Sequence, residues 1–269
     1  MAHVLVTGGS SGIGLALAEL FLGRGERVSI IARDPARLEA AKAGLLTGKS
    51  DAAIYTAAAD VCDRASLDRS ISACKAAFGE IDVLIASAGI VEPGLFVDQS
   101  PEAFDEQIAV NLTGVANVTR SVYADMVVRG VGRILIVSSG AGLIGIPGYA
   151  AYCASKFALR GFGAALRAEA RSRGLTVSVC FPPDTVTPQY ERELPLRPLE
   201  AQTMMGKVKP WPVKRVAAAI AKGIDKGQGE IQFGLALRAL GHFGPAVSRY
   251  FEMRDMRRIA ASRKLSRNI

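Results

Sequence analysis

The sequence predicts an α/β fold: one domain on a parallel sheet of about seven strands, with helices wound on both faces. Three observations predict it. Short apolar runs suited to buried strands alternate with segments of helical apolar spacing, in the order β-α-β-α-β-α-β-α-β-α-β. A glycine-rich turn, Gly8 to Gly14, follows the first strand and runs directly into a helix. No linker or repeat interrupts the alternation. The 269 residues, 49% apolar, suffice for one substantial core.

His3–Thr7 is a short apolar run and the first strand. The glycine turn G-x-x-x-G-x-G and an apolar helix come next. Gly8, Gly12 and Gly14 permit a tight turn and close approach of a pyrophosphate, with helix N–H groups as donors. Such a turn is either structural or a ligand cradle; its place after a strand favours a ligand. Glu26–Ala32 makes the second strand. It ends in Ala32-Arg33, with Arg37 one helical turn on, and no free carboxylate. Asp34 caps the helix that Pro35 begins. Neutral then basic suits an adenosine 2′-phosphate and so NADPH over NADH. The alternative is a solvated arginine.

A helix over Pro35–Leu46 leads to a third strand over Ala53–Ala59, closed by Asp60-Val61, where an adenine ring has a place. A helix over Ala65–Phe78 and a strand over Ile81–Ser87 follow, ending A-S-A-G with Ala88 and Gly89. Pro101–Arg129 reads as mostly helical and contains Asn111; Arg133–Ser138 is the fifth strand and delivers Ser139. A helix from Tyr152 to Arg173, a strand over Leu175–Phe181 and a seventh over Gly229–Phe233 complete a Rossmann-type sheet. In such sheets ligands bind beyond the strand C-termini. The glycine turn, Arg33, Asp60, Ala88-Gly89, Ser139 and Pro182-Pro183 all fall there. The stretch from Asp184 to Pro212, with prolines at 188, 195, 198, 210 and 212, reads as a mobile loop over the site. The division is then a catalytic domain over 1–234, with that loop at 184–212, and an extension over 235–269.

Ser139 precedes Tyr152 by thirteen residues, and Tyr152 precedes Lys156 by four. Four residues on a helix put the two side chains on one face. An ammonium there favours the phenolate and lowers the phenol's pKa toward neutrality. Taken alone, the pair reads first as a core aromatic beside a surface lysine, since such pairs arise often by accident; the rest of the chain changes that reading. Tyr149, on the Pro147-Gly148 turn, reads as a bystander.

Cys62, Cys74, Cys153 and Cys180 have no metal-ligand or C-x-x-C spacing and read as buried thiols in a reducing compartment. With two histidines, His3 and His242, a histidine triad or histidine metal site is not expected. No metal is expected at all. Neither a signal segment nor an apolar run of membrane-spanning length is expected. The net charge is +8, and the segment from Leu235 onward holds eight basic residues against two acidic ones. That segment mixes bulky apolar groups with arginines. It suits an anionic membrane surface, or equally an apolar face packed on the domain or on a second subunit.

Together these residues resemble the classical short-chain dehydrogenase/reductase family over nearly the whole chain. T-G-G-S-S-G-I-G at Thr7–Gly14 looks like the family's cofactor loop. Asn111, Ser139, Tyr152 and Lys156 fall where its catalytic tetrad is expected. The resemblance implies NADPH/NADP as cofactor, a proton from Tyr152, and a hydrogen bond from Ser139 to the substrate oxygen. It implies that Lys156 holds the nicotinamide ribose and that Asn111 anchors a water for proton resupply. The cofactor contacts it implies are Gly8, Ser10, Ser11, Gly12, Ile13, Gly14, Arg33, Arg37, Asp60, Val61, Ala88, Gly89, Tyr152, Lys156, Pro182, Thr185 and Thr187.

Two departures matter. A-S-A-G stands where the family often has N-N-A-G, so a polar side chain tying strands together is lost or shortened. Pro182-Pro183 stands where P-G is usual. That variant, with R-P-L-E-A-Q-T at Arg197–Thr203, is similar to the 3-ketodihydrosphingosine reductase subgroup. The subgroup reduces the C3 ketone of a long-chain sphingoid base with NADPH and is associated with membranes. The resemblance thus implies a lipid-like ketone substrate, with Leu143, Ile144, Ile146, Trp211 and the 184–212 segment as candidates for its apolar path, each also plausible as plain core. It also implies a homo-oligomer, in the cytoplasm or peripheral on a membrane's cytoplasmic face, with no nucleic acid partner. Two alternatives stay open. One is a reductase of another carbonyl, a 3-oxoacyl thioester or a steroid. The other is a non-catalytic cofactor sensor or nucleic-acid binder using the basic tail.

Overall fold

A computed structural model of the chain describes residues 1–47, 52–206, 208–244 and 249. Its first strand shows why the sheet must be covered on both faces. β1 (His3–Thr7) is buried along its whole length. Alternate side chains of a strand point to opposite faces, so Val4 and Val6 enter one apolar core and Leu5 the other. His3 is structural: Nδ1 lies 2.8 Å from the Gly79 carbonyl oxygen and Nε2 2.8 Å from Ser29 Oγ.

The remaining strands are β2 (Arg27–Ala32), β3 (Ile54–Ala58), β4 (Val83–Ala86), β5 (Gly132–Val137), β6 (Leu175–Phe181) and β7 (Glu230–Gln232). They form a seven-stranded sheet in the order β3-β2-β1-β4-β5-β6-β7, every pairing parallel. The order reverses at β1, between β2 and β4, and a crevice opens there at the strand C-termini. The first core packs α1 (Gly12–Gly23), α2 (Pro35–Leu46) and α9 (Val213–Asp225) on one face through Leu17, Leu38 and Ile220. The second packs α3 (Arg64–Phe78), α5 (Gly114–Arg129) and α6 (Ala150–Arg171) on the other through Ile71, Val118 and Leu159.

Local chemistry sets the boundaries. Asp34 caps α2, its carboxylate accepting from the Ala36 and Arg37 N–H groups, with Pro35 at the first turn. Asp63 caps α3 in the same way through Ser66. Between α4 (Pro101–Ile108) and α5, residues Ala109–Thr113 form a π turn that carries Asn111. Such turns recur at functional positions in helices.

Four expectations need correction. The 184–212 stretch is not a loop. It contains α7 (Pro188–Glu193), a 3₁₀ turn over Leu194–Leu196 and α8 (Leu199–Met205). Its prolines start helices rather than forbid them: Pro188 follows the capping Thr187, and Pro198 precedes α8. Cys62 is exposed, unlike Cys74, Cys153 and Cys180, because it sits on the turn after β3. Trp211 bridges to Thr185 and packs edge-on against Phe233 at 6.0 Å, with Arg215 over its face at 3.9 Å. It therefore joins the first core and not the cleft. Leu143 is likewise core, 3% exposed.

Residues 234–244 are helical. Leu240 is buried in the second core, and Leu237 packs against both cores. This stretch is packed on the domain; the basic residues beyond it, Arg249 excepted, lie outside the described residues. Among the described residues, no helix is long and apolar enough to cross a membrane.

Candidate active site

A cleft of about 1300 Å³ runs along the C-terminal edge of the sheet. One end is built from the glycine turn. Gly8 adopts φ +69°, and a Cβ there would lie 2.8 Å from the Ala88 backbone, so the turn presses on the loop after β4. A Cβ on Gly14 would meet the Gly8 carbonyl oxygen at 2.4 Å. Gly14 is thus not on the cleft wall; it lets α1 close against the turn. Gly8, Ser10, Ser11, Gly12 and Ile13 do line the cleft, as do Arg33, Arg37, Asp60, Val61, Ala88 and Gly89.

The charges at this end suit a phosphorylated ribose. The Asp34 carboxylate is occupied as a helix cap, and Asp60 accepts from its own loop at Cys62 N. Arg33 has one loose ion pair, 3.8 Å to Glu106, and is half exposed. Two guanidinium groups therefore face the cleft; of the carboxylates beside them, Asp34 and Asp60 are engaged by backbone N–H groups and Glu106 is only loosely paired to Arg33.

Two strand ends and one helix build the other end. Ser139 leaves β5 in extended conformation and its hydroxyl accepts from Ala141 N at 3.1 Å. Tyr152 and Lys156 stand on the first turns of α6, with the Lys156 Nζ 5.5 Å from the Tyr152 ring centroid. Lys156 is 4% exposed and donates to the Val137 carbonyl at 3.1 Å. Ser138 Oγ donates back to the Lys156 carbonyl at 2.9 Å. These two bonds clamp the start of α6 to the end of β5. Pro182, Thr185 and Thr187 follow β6 along the same wall. Thr185 donates to the Pro183 carbonyl, and Thr187 caps α7.

Asn111 is fully buried and supports the wall from behind. Its amide accepts from Ile90 N at 2.8 Å and donates to the Ile90 carbonyl at 2.9 Å and to Ser155 Oγ at 3.1 Å. Ser155 in turn donates to the Tyr152 carbonyl at 2.7 Å. The side chain is committed to holding the loop after β4 and the start of α6 together. Ser138 and Ser155 have no motif of their own, and sequence reasoning missed both. The Thr7 hydroxyl, in register with Ala86, is buried without a partner among the described residues.

The electrostatics depart from the simple expectation. Burial pushes the Tyr152 phenol well above its ordinary value, and the Glu193 carboxylate adds to this; the Ser139 hydroxyl opposes it. Burial and the carboxylate outweigh any lowering by the Lys156 ammonium. Its own desolvation dominates and lowers its pKa to about 8.

A charged network under the cleft's far wall was not legible beforehand. Arg197 is 7% exposed. It donates to Asp184 at 2.9 Å and to Glu193 Oε1 at 2.8 and 3.1 Å, and lies over the Tyr190 ring at 5.2 Å. Tyr149, expected as a bystander, is 3% exposed and donates its hydroxyl to Glu193 at 2.6 Å. Its ring packs edge-on against Tyr152, centroids 6.2 Å apart. The network ties α7 and the following turn to Tyr152. Ile144, Ile146, Leu196, Met205, Leu237 and Leu240 supply apolar lining.

Comparison with known proteins follows this geometry. A family model described as short chain dehydrogenase matches residues 2–195. A 3-ketodihydrosphingosine reductase of Dictyostelium discoideum is 32% identical over 265 residues, covering 93% of this chain and 79% of that protein. A 3-dehydrosphinganine reductase of Arabidopsis thaliana is 41% identical over 231 residues, covering 84% and 68%. Among solved structures, levodione reductase superposes with a TM-score of 0.79 at 27% identity, over 86% of this chain and 94% of that one. A short-chain dehydrogenase of Sphingobium yanoikuyae in complex with NADPH superposes with a TM-score of 0.77 at 26% identity, over 97% and 95%.

Proposed function

The chain belongs to the short-chain dehydrogenase family, and from that premise we propose that it is an NADPH-dependent reductase of 3-ketodihydrosphingosine, giving the corresponding alcohol. The observation that carries the reading is the convergence of Ser139, Tyr152 and Lys156 on one wall of a cleft whose other end presents Arg33 and Arg37. The relatives, sphingoid-base reductases over most of the chain, support the choice of ketone.

NADPH, when bound, supplies the hydride. Arg33 and Arg37 would hold its 2′-phosphate, and the N–H groups of the glycine turn would hold its pyrophosphate. Tyr152 donates its proton to the carbonyl oxygen as negative charge develops there, and Ser139 hydrogen-bonds the same oxygen. The raised phenol pKa keeps Tyr152 protonated, the form a reduction requires. Lys156 in its ammonium form balances the phenolate left behind. Asn111, through Ile90 and Ser155, keeps these groups in place.

The ketone's hydrocarbon chain lies along Ile144, Ile146 and Leu196 and leaves past exposed Leu194, Leu199 and Val208. That apolar rim, with the basic residues after 244, supports peripheral contact with an anionic membrane's cytoplasmic face. Flotation of the full chain with anionic liposomes tests this; failure to float removes it. A homo-oligomer belongs to the same proposal and is read by light scattering.

The test of function is kcat/KM with NADPH for 3-ketodihydrosphingosine, a 3-oxoacyl thioester and a steroid ketone. The proposal expects the sphingoid ketone to be preferred by about 100-fold, the discrimination that ~2.7 kcal/mol of transition-state binding gives. A thioester or steroid turned over as well or better refutes it.

A further inference from the structure

Glu193 is a charged group of the cleft, close to Tyr149 and Tyr152, that the mechanism above does not use. It ends α7 with its side chain 12% exposed. Tyr149 Oη and two nitrogens of Arg197 all donate to its Oε1. Oε2 accepts no hydrogen bond among the described residues, and Glu193 lines the cleft. Asp184 shares the same guanidinium. Two carboxylates thus stand against one Arg197, leaving one negative charge in a poorly solvated corner. Arg192 lines the same cleft but stands exposed, where water screens it. Tyr149 lies between this corner and Tyr152, whose ring is 6.2 Å from its own.

A negative charge here opposes the reaction of a neutral ketone. Tyr152 becomes anionic as it gives up its proton, and both Glu193 and Asp184 raise its pKa. A cation next to the reacting carbonyl removes the conflict, because it is attracted by the carboxylate and stabilises the developing alkoxide. 3-Ketodihydrosphingosine has such a group: a primary amine on the carbon adjoining its ketone, cationic when protonated.

We infer that Glu193 receives the ammonium of an α-amino ketone, so that this cleft selects amino ketones over neutral or anionic ones. The inference rests on the sphingoid-ketone reading and adds to it the residue that recognises the amine. Arg197 and Tyr149 are positioning residues: they fix Oε1 and leave Oε2 to the substrate. The apolar rim then takes the hydrocarbon chain, and the carboxylate fixes which side of the ketone faces Tyr152.

The test uses the full chain with NADPH and three ketones: 3-ketodihydrosphingosine, its N-acetyl derivative and the ketone lacking the amine. In the wild type kcat/KM should favour the free amine by tenfold or more over both others. In Glu193→Gln, which keeps an oxygen for Tyr149 and Arg197, that preference should fall at least tenfold, and Glu193→Asp should retain part of it. A Glu193→Gln preference within twofold of wild type overturns the inference, including when all three rates drop together. A wild type inactive on the amino ketone but active on another ketone overturns the sphingoid reading as well. A second measurement needs no variant. A long-chain 2-amino alcohol should inhibit the wild type at least tenfold more strongly than its N-acetyl form; equal inhibition overturns the inference.

Discussion

Replacing Lys156 by methionine should make the ligand-free protein more stable while destroying its activity. The Lys156 pKa falls from 10.5 to about 8 because burial disfavours the ammonium. A folded-state pKa below the unfolded one means that the charged form opposes folding below pH 8, and that this opposition fades as pH rises toward 10.5. At about 1.36 kcal/mol per unit the burden is about 3 kcal/mol at pH 7 and about 1 kcal/mol at pH 9.5. Methionine removes the charge and keeps most of the length. It also strands the Val137 carbonyl, which accepts from Nζ at 3.1 Å, at a cost of about 1 kcal/mol. The net gain is then about 2 kcal/mol at pH 7, or about 4–8 °C in Tm for a domain of this size, and close to zero at pH 9.5. Thermal unfolding of both proteins without cofactor at the two pH values measures it. A variant that is less stable at pH 7, or a gain that does not shrink with pH, refutes the reasoning. The wild-type kcat/KM for NADPH should likewise fall above pH 8 as the ammonium is lost.

Arg33→Ala combined with Arg37→Ala should lower the NADPH-to-NADH ratio of kcat/KM by about 100-fold, as expected for losing two charge-assisted contacts of ~1.5 kcal/mol each; an unchanged ratio places the 2′-phosphate elsewhere. Gly14→Ala puts a Cβ 2.4 Å from the Gly8 carbonyl oxygen and should destabilise the protein by about 1–3 kcal/mol in urea unfolding, the usual range for overpacking; a neutral result means the turn yields. Tyr149→Phe removes the donor to Glu193 at 2.6 Å and should cost about 1–3 kcal/mol as the carboxylate loses a buried partner; urea unfolding equal to wild type assigns the hydroxyl no structural role.

Much of this was legible because it is local. Strand 1's apolar run, the Asp34-Pro35 helix start and the glycine turn each depend on a few neighbouring residues. So does the helical phase that puts Tyr152 and Lys156 on one face. What depends on distant contacts was not. The prolines at 188 and 198 read as breakers until the capping Thr187 and the packing of Arg197 between Asp184 and Glu193 showed them starting helices. Trp211 was a candidate for the cleft because it is large and apolar; its pairing with Thr185 and Phe233 turns it into the core. The phenol's pKa was expected to fall with a lysine nearby. Burial and Glu193, forty-one residues further along the chain, raise it instead. Tyr149 shows the same limit: only the fold brings Glu193 to its hydroxyl.

The central claim is that this chain moves a hydride from NADPH to the C3 carbon of a sphingoid ketone while Tyr152 supplies the proton. Incubation of the full chain with 3-ketodihydrosphingosine and NADPH carrying deuterium at both C4 positions of the nicotinamide, followed by mass spectrometry of the product, tests it directly. The account predicts one deuterium at C3 of the alcohol from wild type, and a rate about 1000-fold lower from Tyr152→Phe, a barrier increase of ~4 kcal/mol, with NADPH still bound. An unlabelled product, or a Tyr152→Phe protein that turns over normally, would contradict it.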